Sequence, residues 1–307
     1  MSTPQAAHPS PPSPIGRVVT AMVTPFTEDL RLDLDGAAVL AEHLVASGTD
    51  TVLVHGTTGE SPTLQGDEKW QVLRAVKDAV GDRATVMIGT GSNDTAHTIH
   101  STEQAAAAGA DAVLVVTPYY NRPDQRGLLA HFRAAASATD LPVVLYDIPS
   151  RTARLIELET HVALAEVENI VGVKDATADL GRAGDLLRAT AGAPGGYAMW
   201  SGADEVNLPL LSVGAVGVVS VSAHLVGREI AAMIAAFPTD PARARELHLA
   251  CLPVHRALFR EPSPAPLKGA LTSLGLPAGP VRLPLVAASP PVVEAVLTAL
   301  RPIQEQR

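Results

Sequence analysis

Eight short runs rich in β-branched residues recur along this 307-residue chain, each followed by a longer stretch rich in alanine, leucine and charge. The runs lie at 17–26, 50–56, 84–91, 111–117, 142–147, 170–176, 197–202 and 215–222. The intervening stretches lie at about 34–47, 67–80, 94–108, 125–139, 155–167, 179–191, 204–213 and 225–236. They place apolar residues at helical spacing, as Leu34, Ala38, Leu40, Ala41 and Leu44 do. Gly48, Gly81 and Gly109 follow three of them, where a helix C-terminus favours glycine. Strands that alternate with helices form a parallel sheet, and eight such units close an α/β barrel of the TIM (β/α)8 type. An open doubly wound sheet would need fewer strands and a nucleotide fingerprint, of which Gly89-Thr90-Gly91 is only a fragment. Beyond about residue 237 the strand signals stop and proline-broken helices remain. The expected organisation is an N-terminal arm over 1–14, a barrel over 15–237 and an appended C-terminal helical subdomain over 238–307.

Composition excludes several functions. A net charge of −9, no basic run and only ten aromatic residues argue against a nucleic-acid partner. Cys251 is the one cysteine, so no disulfide framework and no cysteine metal site is expected, and the ten histidines are scattered. The first 14 residues hold five prolines and no apolar block, which reads as a disordered arm rather than a signal peptide. No apolar run reaches the length of a membrane span. A cytoplasmic protein without a membrane partner is expected.

The chain has four lysines against 19 arginines, and Lys174 ends an apolar run, Ile170-Val171-Gly172-Val173-Lys174. Burial disfavours an ammonium, and a desolvated neutral amine attacks carbonyls to form Schiff bases. A lysine on a strand tip, or one paired with Asp175, is the plainer reading. Lys69, Lys77 and Lys268 lie in polar or helix-like surroundings. Strict alternation would put Ile170, Gly172 and Lys174 on one face, with Gly172 leaving room for the lysine stem.

In a barrel the strands' C-terminal ends carry function. Three of the four tyrosines, Tyr119, Tyr120 and Tyr146, fall there. Tyr146 belongs to the run before that of Lys174 and could carry protons for imine chemistry, or be a core tyrosine with a satisfied hydroxyl. The loop Gly56-Thr57-Thr58-Gly59-Glu60 offers N–H groups and hydroxyls that suit a carboxylate, or is a plain turn. Arg151 could clamp a second carboxylate, or be solvated.

Taken in order, several motifs resemble those of the dihydrodipicolinate synthases, pyruvate-dependent Schiff-base aldolases on a TIM barrel. They are Gly56-Thr57-Thr58-Gly59-Glu60-Ser61-Pro62, Val116-Thr117-Pro118-Tyr119-Tyr120-Asn121-Arg122-Pro123, Leu145-Tyr146-Asp147-Ile148-Pro149-Ser150-Arg151-Thr152, Gly172-Val173-Lys174-Asp175-Ala176-Thr177, Trp200-Ser201-Gly202 and Gly217-Val218-Val219-Ser220-Val221. The resemblance covers nearly the whole chain from about Gly16. It implies that Lys174 forms the imine with pyruvate and that Tyr146 is the acid–base group. It further implies that Thr57 links Tyr146 to Tyr120, which reaches in from a neighbouring subunit. Thr58 would hold the pyruvate carboxylate, Gly202 and Val219 would line its pocket, and Arg151 would hold L-aspartate-4-semialdehyde. No metal or other cofactor is implied, because the iminium does the polarising. The implied assembly is a homotetramer, a dimer of dimers, serving diaminopimelate and lysine biosynthesis.

The chain departs from the family pattern in three places. Ala153 and Ala178 stand where many relatives have glycine, and Asp147 replaces a frequent asparagine. A sister lyase acting on sialic or keto-deoxy sugar acids shares Lys174 and Tyr146 but commonly has serine at the position of Thr57. A silent pyruvate-binding regulator would lack one of Lys174, Tyr146, Thr57 or Tyr120, and all four are present. Gly66, Lys69 and His97 occupy the positions of a lysine-effector site in sensitive relatives, which predicts weak or absent feedback inhibition.

Overall fold

The computed structural model describes residues 15–307; the arm expected over 1–14 lies outside them. The eight strands are β1 (Val18–Ala21), β2 (Thr51–Val54), β3 (Thr85–Gly89), β4 (Ala112–Val116), β5 (Val143–Asp147), β6 (Ile170–Asp175), β7 (Ala198–Ser201) and β8 (Gly217–Ser220). They pair in parallel and in sequence order, and β8 returns to β1 to close the barrel. Every expected strand is present, each trimmed at its ends where the chain turns toward a helix.

The helices are α1 (Leu34–Ala46), α2 (Glu68–Val80), α3 (Thr95–Ala107), α4 (Gln125–Ala136), the short α5 (Pro149–Thr152), α6 (Leu158–Ala165), α7 (Leu180–Thr190), α8 (Asn207–Val213) and α9 (Ala223–Ala236). Then come α10 (Pro241–Ala257), α11 (Ala265–Ser273) and α12 (Pro290–Gln304), which pack on one another and on α9. Aspartates open five helices. Asp33, Asp94, Asp124, Asp179 and Asp240 each accept a backbone N–H of the first turn, a cap worth about 1 kcal/mol each. Gly48, Gly81 and Gly109 take positive φ values of 95°, 54° and 82° past their helices, as a glycine there should.

Two apolar layers result from the two-residue strand period. Val19, Ala21, Leu53, Met87, Ala112, Leu114, Val144, Tyr146, Trp200 and Val219 fill the barrel. Val18, Val52, Val86, Val113, Val143, Val173, Met199 and Val218 face the helices.

Strict alternation fails in β6. Val143 pairs with Ile170 but Val144 with Gly172, so Val171 is an extra residue. Ile170 therefore packs with the helix-facing layer and Val171 against the barrel interior, the reverse of the expectation. Above the bulge the alternation resumes, with Val173 outward and Lys174 inward.

Candidate active site

Tyr146 and Lys174 are register partners on β5 and β6, at the ends where the strands feed their loops. Both side chains are buried, at 5% exposure each. The Lys174 Nζ lies 4.1 Å from the centre of the Tyr146 ring. Burial pulls the amine down from 10.5 to about 8; the Asp204 carboxylate opposes this and the Arg151 guanidinium adds to it. Burial also pushes the Tyr146 phenol up to about 12, against the pull of Arg151 and of a hydrogen bond with the Thr57 side chain. At neutral pH the phenol holds its proton, and the amine gives up its proton far more readily than an exposed lysine does.

Room for the lysine stem comes from a glycine other than the expected one. A Cβ on Gly202 would come within 3.0 Å of Lys174 Cγ. A Cβ on Gly172 would instead meet the Ala198 carbonyl oxygen at 2.0 Å, with φ at 152°. Gly172 thus serves the close approach of β6 to β7 beside the bulge, and Gly202 passes the lysine.

Asp175 is not the partner of Lys174. It points to the opposite side, where Arg182 of α7 binds it and also Asp147 at 2.6 Å. The same guanidinium donates to the Ile156 carbonyl at 2.7 Å and reaches His161 Nε2 at 3.1 Å, and His161 Nδ1 meets the Tyr197 hydroxyl at 2.7 Å. Asp147 and Asp175 are 0% and 1% exposed, so this network braces β5 and β6 from behind. Its sequence signal was the pair of aspartates one residue after Tyr146 and Lys174, which alternation sends outward into an apolar layer that must then hold a cation.

Asp204, in the loop after β7, is a second group the sequence reading missed. Its carboxylate accepts from Val221 N, Ser222 N, Ser222 Oγ and Asn207 Nδ2 at 2.7–3.1 Å. Burial works against its charge, but the His255 ring and the Ser220 and Ser222 hydrogen bonds hold the carboxyl below its usual range. It is therefore a buried anion acting on Lys174.

The Gly56–Glu60 loop sits at the barrel mouth as two turns, with Gly59 N bonded to Gly56 O and Glu60 N to Thr57 O. His55 donates from Nδ1 to the Gly89 carbonyl at 2.7 Å; burial lowers its pKa to about 4, so the ring is neutral. Thr57 is half-buried and Thr58 buried. Glu60 accepts from Lys268 Nζ of α11 at 2.7 Å and from Arg282 N at 2.8 Å. Lys268 lies on a helix, within the polar or helix-like surroundings expected of it, but it is only 2% exposed and held in a buried ion pair. Burial brings its amine down to about 8 despite Glu60.

Lys174, Tyr146 and Thr57 are thus brought together, with the charge of Arg151 acting on the first two. Gly202 touches Lys174, and Val219 is buried in the barrel interior. Tyr120 is not brought to them within one protomer: it is 89% exposed on a loop tip, in the left-handed region at φ 73°. Ala153 and Ala178 also have positive φ, 54° and 59°.

Residues 14–301 match the model of the dihydrodipicolinate synthetase family. The chain is 56% identical over 279 residues to 4-hydroxy-tetrahydrodipicolinate synthase of Acidothermus cellulolyticus, covering 91% of this chain and 89% of that one. It is 51% identical over 287 residues to the synthase of that name from Moorella thermoacetica, covering 93% and 97%. The crystal structure of DHDPS from Cyanidioschyzon merolae with lysine bound superposes with a TM-score of 0.90 at 43% identity, over 94% of this chain and 98% of that one. The barrel, the buried lysine–tyrosine pair and these likenesses agree: the chain belongs to the dihydrodipicolinate synthetase family.

Proposed function

We propose that this protein is a 4-hydroxy-tetrahydrodipicolinate synthase, a lyase that joins pyruvate to L-aspartate-4-semialdehyde through a Schiff base on Lys174. The observation that carries the reading is the buried amine of Lys174 lying 4.1 Å over the ring of Tyr146, supported by relatives of that name at 51% and 56% identity. The neutral amine adds to the pyruvate keto carbon. The carbinolamine oxygen takes a proton from Tyr146 and leaves as water, giving a protonated imine. Loss of a methyl proton gives the enamine, whose carbon bonds to the aldehyde carbon of the semialdehyde while the aldehyde oxygen gains a proton. The semialdehyde's own amine then adds to the imine carbon, closing the ring and releasing Lys174. The iminium is itself the electron sink, so the scheme calls for no cofactor. Asp204 offsets the cation that forms on Lys174.

Thr57 keeps Tyr146 in a proton path, Thr58 takes the pyruvate carboxylate, and Gly202 and Val219 bound that pocket. Arg151 takes the carboxylate of the semialdehyde. In this reading Tyr120 completes the proton path of a second protomer; its exposure and left-handed backbone support an oligomer and, with the family resemblance, a homotetramer. The barrel over 15–237 holds the chemistry and the subdomain over 238–307 supports it. No helix among the described residues is long and apolar enough to cross a membrane, and a cytoplasmic enzyme serving diaminopimelate and lysine biosynthesis fits this reading.

Two experiments test it. Borohydride in the presence of pyruvate should add one reduced pyruvyl group to the Lys174 peptide, and no adduct should form in Lys174→Ala. Tyr146→Phe should lose about 10²–10⁴-fold in kcat, the usual contribution of a general acid–base group, with a smaller change in pyruvate binding. Labelling at another lysine, or normal turnover without the phenol, refutes the assignment.

A further inference from the structure

The catalytic loop is held from the far end of the chain. Glu60 stands three residues after Thr57, donates its N–H to the Thr57 carbonyl and has a left-handed φ of 55°. A non-glycine residue stays in that region only where its surroundings over-determine it. Both carboxylate oxygens are taken by the C-terminal subdomain: Oε1 by Lys268 Nζ at 2.7 Å and Oε2 by Arg282 N at 2.8 Å. Lys268 also donates to the Pro280 carbonyl at 2.7 Å, and the Glu60 side chain is fully buried beneath it.

Arg282 then forks onto Glu68, the first residue of α2, at 2.6 Å through each terminal nitrogen. Phe26, just beyond β1, is in contact with both cations, its ring centre 4.3 Å from Lys268 Nζ and 4.2 Å from the Arg282 guanidinium carbon. The segment reaches this depth because Gly279, at φ 67°, passes where a Cβ would strike the Phe26 carbonyl, and Phe26 N donates to Ala278 O at 3.1 Å. On the other side of the loop, His55 is tied to Gly89. Thr57 and Thr58 therefore sit between two fixed posts, one of them supplied by the C-terminal subdomain.

We propose that Glu60 and Lys268 are positioning residues for the condensation: their buried ion pair clamps the C-terminal subdomain onto the Gly56–Glu60 loop and so aligns the Thr57 hydroxyl with Tyr146. The proposal rests on the reading above that Thr57 serves Tyr146. The two can fail separately. Releasing Glu60 lets the left-handed turn relax and moves Thr57 by a fraction of its own hydrogen-bond length. A displacement near 1 Å can cost on the order of 10²-fold in rate.

The test is a double-mutant cycle on the full-length enzyme, with kcat measured for pyruvate and L-aspartate-4-semialdehyde. Wild type, Thr57→Val, Glu60→Gln/Lys268→Met and the triple variant are compared. The paired change keeps side-chain size and leaves no lone buried charge. It should lower kcat roughly 10–100-fold in the Thr57 background but less than about threefold further once Thr57→Val is present, because groups acting through one another are not additive. A paired variant with wild-type kcat, or losses that simply multiply in the triple variant, overturns the clamp. Absence of a pyruvate adduct on wild-type Lys174 overturns the functional reading, and the clamp with it; a wild type that forms the adduct isolates the clamp as the question. Should the paired variant not fold, Glu60→Gln alone is followed by hydrogen exchange. Its amides at positions 59, 60 and 61 should exchange at least tenfold faster while the β-strand amides stay protected. Unchanged exchange in that loop overturns the proposal.

Discussion

Asp147 and Asp175, each one residue past a member of the buried Tyr146–Lys174 pair on adjacent strands, share the single guanidinium of Arg182. Two carboxylates at 0% and 1% exposure on neighbouring strands would repel one another without it. Tyr146 and Lys174 are therefore held from the helix-facing side of the sheet.

Arg182→Met should destabilise the protein by about 3–5 kcal/mol, the cost of stranding a buried charge. Arg182→Lys should recover little, because one ammonium cannot reproduce the fork that reaches both aspartates and the Ile156 carbonyl. Denaturant unfolding measures both. A Lys variant as stable as wild type contradicts this account.

Imine formation should follow the charge of Lys174. The amine must be neutral to attack, and burial sets its pKa at about 8. At low pyruvate, the rate of borohydride-trappable adduct should rise about tenfold per pH unit below 8 and level off above it. The same shift bears on stability. The unfolded lysine keeps its proton up to its ordinary 10.5 and the folded one only to about 8, so the unfolded state binds more protons between these values. This residue's contribution therefore improves as pH rises from about 8 toward 10.5 and is flat below that window. Lys174→Met should remove that increment from the pH dependence of unfolding; an adduct rate independent of pH between 6 and 8, to within about a factor of two, would contradict the low pKa.

Ala153→Gly and Ala178→Gly should each stabilise the protein. Both alanines hold left-handed backbone at φ 54° and 59°. That conformation costs an L-residue about 1–2 kcal/mol, and the added freedom of glycine in the unfolded chain returns about 0.4–1 kcal/mol. The net gain is between about zero and about 1.6 kcal/mol per site, read as a rise in Tm. A lower Tm in either variant shows that the alanine methyl packs usefully.

L-lysine should inhibit weakly or not at all. Lys69 is half-buried, lies 4.6 Å from the Trp70 ring and donates to Ser101 Oγ at 2.9 Å. His97 Nε2 touches the same hydroxyl at 3.3 Å. An arriving ammonium would meet a resident one, and like charges about 4 Å apart repel by about 4 kcal/mol at an effective dielectric near 20. The check is the synthase rate at saturating pyruvate across a lysine titration. Strong inhibition at low lysine shows that these positions do not define the effector site here.

The barrel was legible because its signal is local: each β-branched run is bounded by a helix whose apolar spacing differs. The inward Lys174 and Tyr146 were legible from the strand ends. What stayed hidden depends on distance or on an inserted residue. Lys268 looks like an ordinary helix residue because its partner Glu60 is 208 positions away. Nothing in Ile170-Val171-Gly172 marks which residue is the extra one, so both the strand phase and the role of Gly172 were misread. Tyr120 stands 89% exposed on its loop tip, and no local pattern in the sequence separates that from the place at the site that the resemblance implies.

The extra residue at Val171 splits β6 into two mechanical regimes. Below it, the strand's phase follows the barrel floor, where Asn169 ties down the carbonyls of Ala136 and Thr139. Above it, the phase answers only to the mouth, through Arg182 on Asp175 and the stem of Lys174 against Gly202. The bulge acts as a clutch. The floor can drift in sequence and spacing without turning Lys174 away from the barrel interior.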